Sequence, residues 1–191
     1  MGRLIYIANT TLDGYTADRD GDFGFTAPTT DVFTAITDVV RPIGTYLYGR
    51  RMYETMAVWD TAHLEPDSAP YIPGNRDLEV EFANLWRGAD KLVFSTTLQA
   101  PTTARTRIER AFDPDAVRRL KAASDRDLSV GGPHIAAQML AAGLVDELHA
   151  FVSPIILGGG NAWLPSDVRI PLELVGERRM GRVVHLHYAT S

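Results

Sequence analysis

Apolar positions fall into short runs divided by polar, glycine- or proline-bearing segments, and runs of strand character alternate with runs of helical spacing. Leu4 to Ala8 predicts a first strand. Over residues 29–40, Val32, Phe33, Ile36 and Val40 recur at helical spacing, with Thr30 or Asp31 placed to cap and Pro42 and Gly44 to close. Thr45 to Tyr48 predicts the next strand, and a short helix starts at Arg50. Residues 60–76, rich in Pro, Asp and Gly, read as a loop. Leu78, Phe82, Leu85 and Trp86 mark an amphipathic helix ended by Gly88. Then come a strand at Lys91–Phe94, a helix over Asp115–Ala123 with Pro114 at its start, and a strand at Leu128–Val130. Pro133 to Ala142 predicts a helix stopped by Gly143, followed by a long strand from Glu147 to Leu157. Leu172–Val175 and Val183–Tyr188 complete the pattern as a terminal hairpin. Such alternation implies an α/β fold with a mostly parallel central sheet and an antiparallel finish. No repeat or linker interrupts it, so residues 1–191 are expected to form a single domain.

Composition narrows the classes. With 45% hydrophobic and 23% charged residues the chain has the make-up of a globular protein, which excludes disorder. A net charge of −5, and no Lys/Arg run longer than two, argue against a nucleic-acid partner. The absence of cysteine removes disulfides, thiolate zinc sites and a cysteine nucleophile, and suits a reducing, cytoplasmic location. Met1 to Tyr6 is too short an apolar run for a signal peptide, and no stretch approaches the ~20 apolar residues of a membrane helix.

Candidate chemistry sits where strands end. Leu128-Ser129-Val130 runs into Gly131-Gly132, and a helix opens at Pro133-His134-Ile135. Glycines allow a sharp turn and a close approach, while the free N–H groups of a helix start attract an anion. A plain turn relieved of crowding explains the same residues equally well. Gly49, Arg50 and Arg51 repeat the layout with two guanidinium groups that match phosphate geometry, or that simply sit solvated on a helix surface. Ser95-Thr96-Thr97 closes a third strand with hydroxyls that can meet phosphate or cap a turn. Three such ends in one parallel sheet reinforce one another, because open α/β sheets bind ligands at the strands' carboxyl ends.

Asp13, in Thr11-Leu12-Asp13-Gly14, follows the first strand and reads either as a turn residue or as a catalytic carboxylate; Asp31 reads either as a helix cap or as a substrate contact. Gly158-Gly159-Gly160 is a turn, a close approach to cofactor, or both. The dinucleotide fingerprint, the phosphate-binding P-loop and the HExxH zinc motif are all missing. His185 and His187 share one face of the last strand and read as a solvated face, so no metal is expected.

In order, the segments TLDGY, YGRRMYE, LWRGADKLVFSTTL and VGGPHIAAQMLAAGLVDELHAFVSPIILGGG resemble the bacterial dihydrofolate-reductase-like proteins, related to the C-terminal reductase domain of bifunctional riboflavin-biosynthesis enzymes. That resemblance implies a three-layer α/β/α fold, NADPH as hydride donor, a small-molecule substrate and a homodimer. It places Gly49, Arg50 and Arg51 at the adenosine phosphates, and Ser95 and Thr96 beside the adenine ribose and its 2′-phosphate. Gly131, Gly132, His134 and Ile135 would cradle the pyrophosphate with Gln138 nearby, and Ala8 would support the nicotinamide. Asp13 and Asp31 stand as the polar substrate contacts. Thr96 stands where riboflavin-type relatives often carry arginine. The first loop offers Phe23 and Phe25 rather than tryptophan, and the long strand Phe151 rather than threonine, which weighs against folate. The expected activity is reduction of a pterin- or aminopyrimidine-like or carbonyl compound, with aminopyrimidine reductase and dihydrofolate reductase both open. The alternative is a nucleotide-binding or regulatory protein that keeps the fold without turnover.

Overall fold

The apolar runs assemble into one sheet because each is too short to bury itself alone. The computed structural model describes residues 1–62 and 75–191. In chain order the elements are β1 (Leu4–Thr11), β2 (Tyr15–Ala17), α1 (Thr30–Val40), β3 (Ile43–Gly49), α2 (Arg50–Met56), α3 (Arg76–Gly88), β4 (Asp90–Phe94) and β5 (Thr106–Glu109). They continue as α4 (Pro114–Ala123), β6 (Asp127–Gly131), α5 (Pro133–Ala141), β7 (Glu147–Ser153), β8 (Asn161–Ala162), β9 (Leu172–Met180) and β10 (Val183–Thr190). The eight-stranded sheet runs β5-β4-β3-β6-β1-β7-β10-β9, parallel from β5 to β7 and antiparallel from β7 to β9. A separate two-stranded patch joins β2 to β8.

Period-two alternation sends each strand's side chains to opposite layers. Tyr46, Tyr48 and Phe151 pack under α1, α2 and α3 through Phe33, Tyr53, Phe82 and Trp86. Leu4, Tyr6, Leu47 and Leu128 face the other way, against Val117 of α4 and Ile135, Ala136 and Met139 of α5. The architecture is therefore the expected α/β/α sandwich. Where α3 turns into β4, the buried Lys91 ammonium donates to the carbonyls of Trp86 (3.3 Å) and Ala89 (3.0 Å), so the helix end is satisfied from within.

Several boundaries differ from expectation. The N-cap position of α1 is Thr29, so neither Thr30 nor Asp31 caps it. The long strand stops at Ser153, because Pro154 has no N–H to extend a ladder. β7 also lies between β1 and β10, so the free edges of the sheet are β5 and β9. β2, β5 and β8 were not expected, and β9 runs on to Met180. Most of the predicted 60–76 loop lies outside the described residues. Among the described residues, no helix is long and apolar enough to cross a membrane.

Candidate functional site

Parallel strands set side by side bring their carboxyl ends to one edge, and the sheet order decides which ends are neighbours. Gly49 of β3 is level with Phe94 of β4, and Tyr48 with Gly131 of β6. The glycine pair after β6, the arginine pair after β3 and the hydroxyls after β4 therefore adjoin. Tyr6 of β1 pairs with Val130, so Ala8, two residues further on, reaches the same edge.

Close packing explains the glycines here. A Cβ on Gly131 would stand 2.6 Å from Cε1 and 2.7 Å from Cδ1 of Tyr48. Gly132 has φ +97°, and its Cβ would meet Met52 Cβ at 3.2 Å and the Gly49 nitrogen at 3.9 Å. Ile135 Cγ2 in turn lies 3.8 Å from a Cβ built on Gly49. Gly131 thus leaves room for the Tyr48 ring, and Gly132 supplies the positive φ that turns β6 into α5. No side chain caps α5 at Gly132 or α2 at Gly49, and Pro133 occupies the first turn of α5. Two bare helix starts side by side present a positive, N–H-lined surface. His134 and Gln138 are exposed on α5, and Ile135 is buried beneath it.

The arginines differ. Arg50 donates to Glu54 (2.7 Å) and to the Thr97 hydroxyl (2.8 Å), tying α2 to the end of β4. The Arg51 side chain is exposed and makes no hydrogen bond or ion pair among the described residues. Ser95 Oγ accepts from the amides of Leu98 (3.0 Å) and Thr97 (3.3 Å), closing the turn after β4. Thr96 is exposed beside it.

Asp13 and Asp31 are not brought together by any contact among the described residues. The Asp13 carboxylate accepts from Thr11 Oγ1 (2.6 Å), the Gly158 amide (2.8 Å) and the Leu157 amide (3.1 Å). These bonds, Thr11's foremost, hold it below the usual carboxylate range. It is an ionised clamp joining the loop after β1 to the loop after β7, which makes it a poor proton donor near neutral pH. Asp31 is exposed in the first turn of α1. Gly160, with φ +136°, packs its backbone on the Ala17 carbonyl. An open cleft of about 260 Å³ lies between this triglycine loop and the start of α5, lined by Pro133, His134, Ala137, Gly160 and Asn161 among others.

The fold recurs in known proteins. The model of the RibD C-terminal domain family matches residues 3–186. The chain belongs to the RibD C-terminal domain family. Among curated proteins, the uncharacterized YyaP of Bacillus subtilis (strain 168) is 28% identical over 92% of this chain and 88% of its own. A putative riboflavin biosynthesis protein from Shewanella sp. PV-4 superposes with a TM-score of 0.75 at 18% identity, covering 99% of both chains. The Thermotoga maritima diaminohydroxyphosphoribosylaminopyrimidine deaminase/5-amino-6-(5-phosphoribosylamino)uracil reductase gives 0.64 at 18% identity, over 100% of this chain and 57% of that one. Dihydrofolate reductase from Enterococcus faecalis, complexed with NADP(H), gives 0.57 at 12% identity, covering 99% and 96%. The fold is that of dihydrofolate reductase.

One cluster escaped the sequence reading. His185 and His187 were expected on a solvated face, but both are half-buried and stack with His149, at ring separations of 5.1 and 4.1 Å. Only the pairing of β7 with β10, which sets His149 directly opposite His187, creates the group. Burial, and then the neighbouring His187 and His185, push the His149 imidazole down to about 3 from an ordinary 6.5. The unfolded chain therefore takes up this proton below about pH 6.5 while the folded chain refuses it. Stability from this group is complete above that pH and is lost as pH falls toward 3. The slope is on the order of 1 kcal/mol per pH unit. Urea midpoints measured between about pH 7 and pH 5 should fall less for His149→Phe than for the parent; equal slopes would show that His149 is not protonation-linked to folding.

Proposed function

We propose that this member of the family is an NADPH-dependent reductase acting on a small pterin- or aminopyrimidine-like heterocycle or a carbonyl compound. The observation that carries the reading is the pair of uncapped helix starts, α2 and α5, set side by side at the adjacent ends of β3 and β6. The site suits an anionic dinucleotide: bare N–H groups for phosphate, and a guanidinium on Arg51 that no described residue engages. In this reading Gly131, Gly132, His134 and Ile135 hold the pyrophosphate with Gln138 nearby, Gly49, Arg50 and Arg51 the adenosine phosphates, and Ser95 and Thr96 the ribose end. Ala8 lies under the nicotinamide. The bound cofactor supplies the hydride. The protein's part is to fix the two rings and exclude water. Asp31 contacts the substrate's polar edge. Asp13 acts by fixing the loop that walls the cleft, and the proton comes from solvent.

Arg51→Ala removes no side-chain hydrogen bond or ion pair among the described residues, so folding should be unchanged. Loss of one charge-assisted phosphate contact, worth about 1.5–3 kcal/mol, should weaken NADPH binding roughly 10- to 100-fold. Titration calorimetry with NADPH, and loss of its absorbance with pterins, aminopyrimidine ribosyl phosphates and simple carbonyls, test the reading; no cofactor binding at all would end it. A second reading, a nucleotide-binding protein without turnover, is favoured by the engagement of Asp13 with backbone amides, and predicts NADPH binding with every substrate inert. A homodimer belongs to the same proposal. Its candidate surface is the edge strand β9, where Leu174 and Val175 are 52% and 55% exposed, and light scattering in solution measures it.

A further inference from the structure

The sheet carries a second polar cluster, at the opposite end of β7 from the cleft. Glu147 opens β7 and Ser153 closes it, so the two ends stand about 20 Å apart at ~3.3 Å per residue. Alternation places Glu147, His149 and Phe151 on one face, and the antiparallel register brings His187 and His185 of β10 onto that face. Glu147 Oε2 lies 3.2 Å from His187 Nε2 and 3.6 Å from His149 Nε2, and the three donor atoms all fall within 4.8 Å of one another.

We propose that Glu147, His149 and His187 form a binding site for a divalent transition metal, with Zn²⁺ as the best-fitting ion. Metal–donor bonds of about 2.0–2.1 Å at tetrahedral angles separate the donors by about 3.3 Å, the spacing already present around the carboxylate oxygen. Two imidazoles and one carboxylate are a borderline-soft set that suits zinc better than calcium or magnesium. The groups behind the donors are also in place. His149 Nδ1 lies 2.9 Å from His185 Nε2; the tautomer with its proton on Nδ1 satisfies that contact and leaves Nε2 a free lone pair. The other carboxylate oxygen, Oε1, accepts from Arg3 Nη1 at 2.6 Å, and Arg3 is itself held by Asp127, so Oε2 is left for the ion. The His149 and His187 rings stack at 4.1 Å with 17° between planes. Coordination needs His187 to turn about its soft χ2 torsion, which its partial exposure permits. Zinc then replaces the His187–Glu147 hydrogen bond, clips β7 to β10, and keeps a fourth position for water. Nothing in this depends on the cofactor reading.

The test uses untagged, chelator-treated protein titrated with ZnCl₂ by calorimetry, and with CoCl₂ by visible absorption. The expected result is one equivalent of Zn²⁺, a rise in melting temperature, and the intense d–d bands of four-coordinate Co²⁺. His187→Gln, at a partly exposed position, should weaken zinc binding more than tenfold while remaining folded by circular dichroism, and Glu147→Gln should do the same. His134→Gln should bind zinc as the parent does. Overturning results are no stoichiometric binding, six-coordinate cobalt spectra alone, or binding unchanged in His187→Gln, any of which would leave the cluster a hydrogen-bonded stack only.

Discussion

Gly131→Ala should destabilise the protein by about 2–3 kcal/mol, and in the proposed reading should remove NADPH binding with it. A single methyl there enters the Tyr48 ring at 2.6–2.7 Å and Met52 Cγ at 3.1 Å. Tyr48 has nowhere to retreat. Its hydroxyl accepts from Trp86 Nε1 at 3.2 Å, its ring stacks on Tyr46 at 5.3 Å with 9° between planes, and it is 2% exposed. The strain must pass into the backbone joining β6 to α5, which is the surface proposed to meet phosphate. Urea unfolding with Gly88→Ala as a control separates steric conflict from loss of glycine itself, since a Cβ at Gly88 meets nothing within 4 Å. A Gly131→Ala variant within about 0.5 kcal/mol of the parent would contradict the packing argument.

Gly160→Ala should be at least as severe, about 3 kcal/mol or more, because two penalties coincide. Its φ of +136° is a region L-residues rarely occupy, and the new Cβ would stand 2.1 Å from the Ala17 carbonyl oxygen and 2.9 Å from Asp18 Cα. Both obstacles are backbone, so no rotamer change relieves them. The β2–β8 patch should separate locally, exposing the loop to limited proteolysis while the eight-stranded sheet persists. In an active preparation the Michaelis constant should rise more than the melting temperature falls, because this loop forms one wall of the cleft. Proteolysis rates equal to the parent's would refute the loop's dependence on glycine.

Strands buried on both faces announce themselves as continuous apolar runs, which is why β1, β3, β4 and β6 were legible from residues 4–8, 45–48, 91–94 and 128–130. β5, Thr106-Arg107-Ile108-Glu109, was not, since an edge strand needs only one apolar contact and keeps its charges. The end of β7 was misplaced because Ile155, Ile156 and Leu157 extend the apolar run past Pro154, and only the missing N–H distinguishes them. At the candidate site, the convergence of 49–51, 95–97 and 131–135 followed from counting strand ends. The hydrogen bonds that occupy Ser95 and Asp13 did not, because their partners at Leu98, Leu157 and Gly158 depend on loop geometry. The histidine stack was invisible for a related reason: His149 and His187 are 38 positions apart, and nothing local sets the register that joins them.

The place of β1 in the sheet has a consequence for synthesis. Both of its neighbours, β6 and β7, begin at Asp127 and Glu147, so β1 waits for strands made more than a hundred residues later. At about 5–20 residues per second, an emerging chain carries Leu4-Ile5-Tyr6-Ile7-Ala8 unpaired for roughly 6–25 s before a partner leaves the ribosome. That interval far exceeds the ~1–10 μs of hairpin formation, so translation rather than the intrinsic folding rate limits when the sheet closes. Ribosome-bound fragments stalled before residue 127 should therefore be captured by holdase chaperones through this segment, and release of the segment should coincide with the emergence of β6.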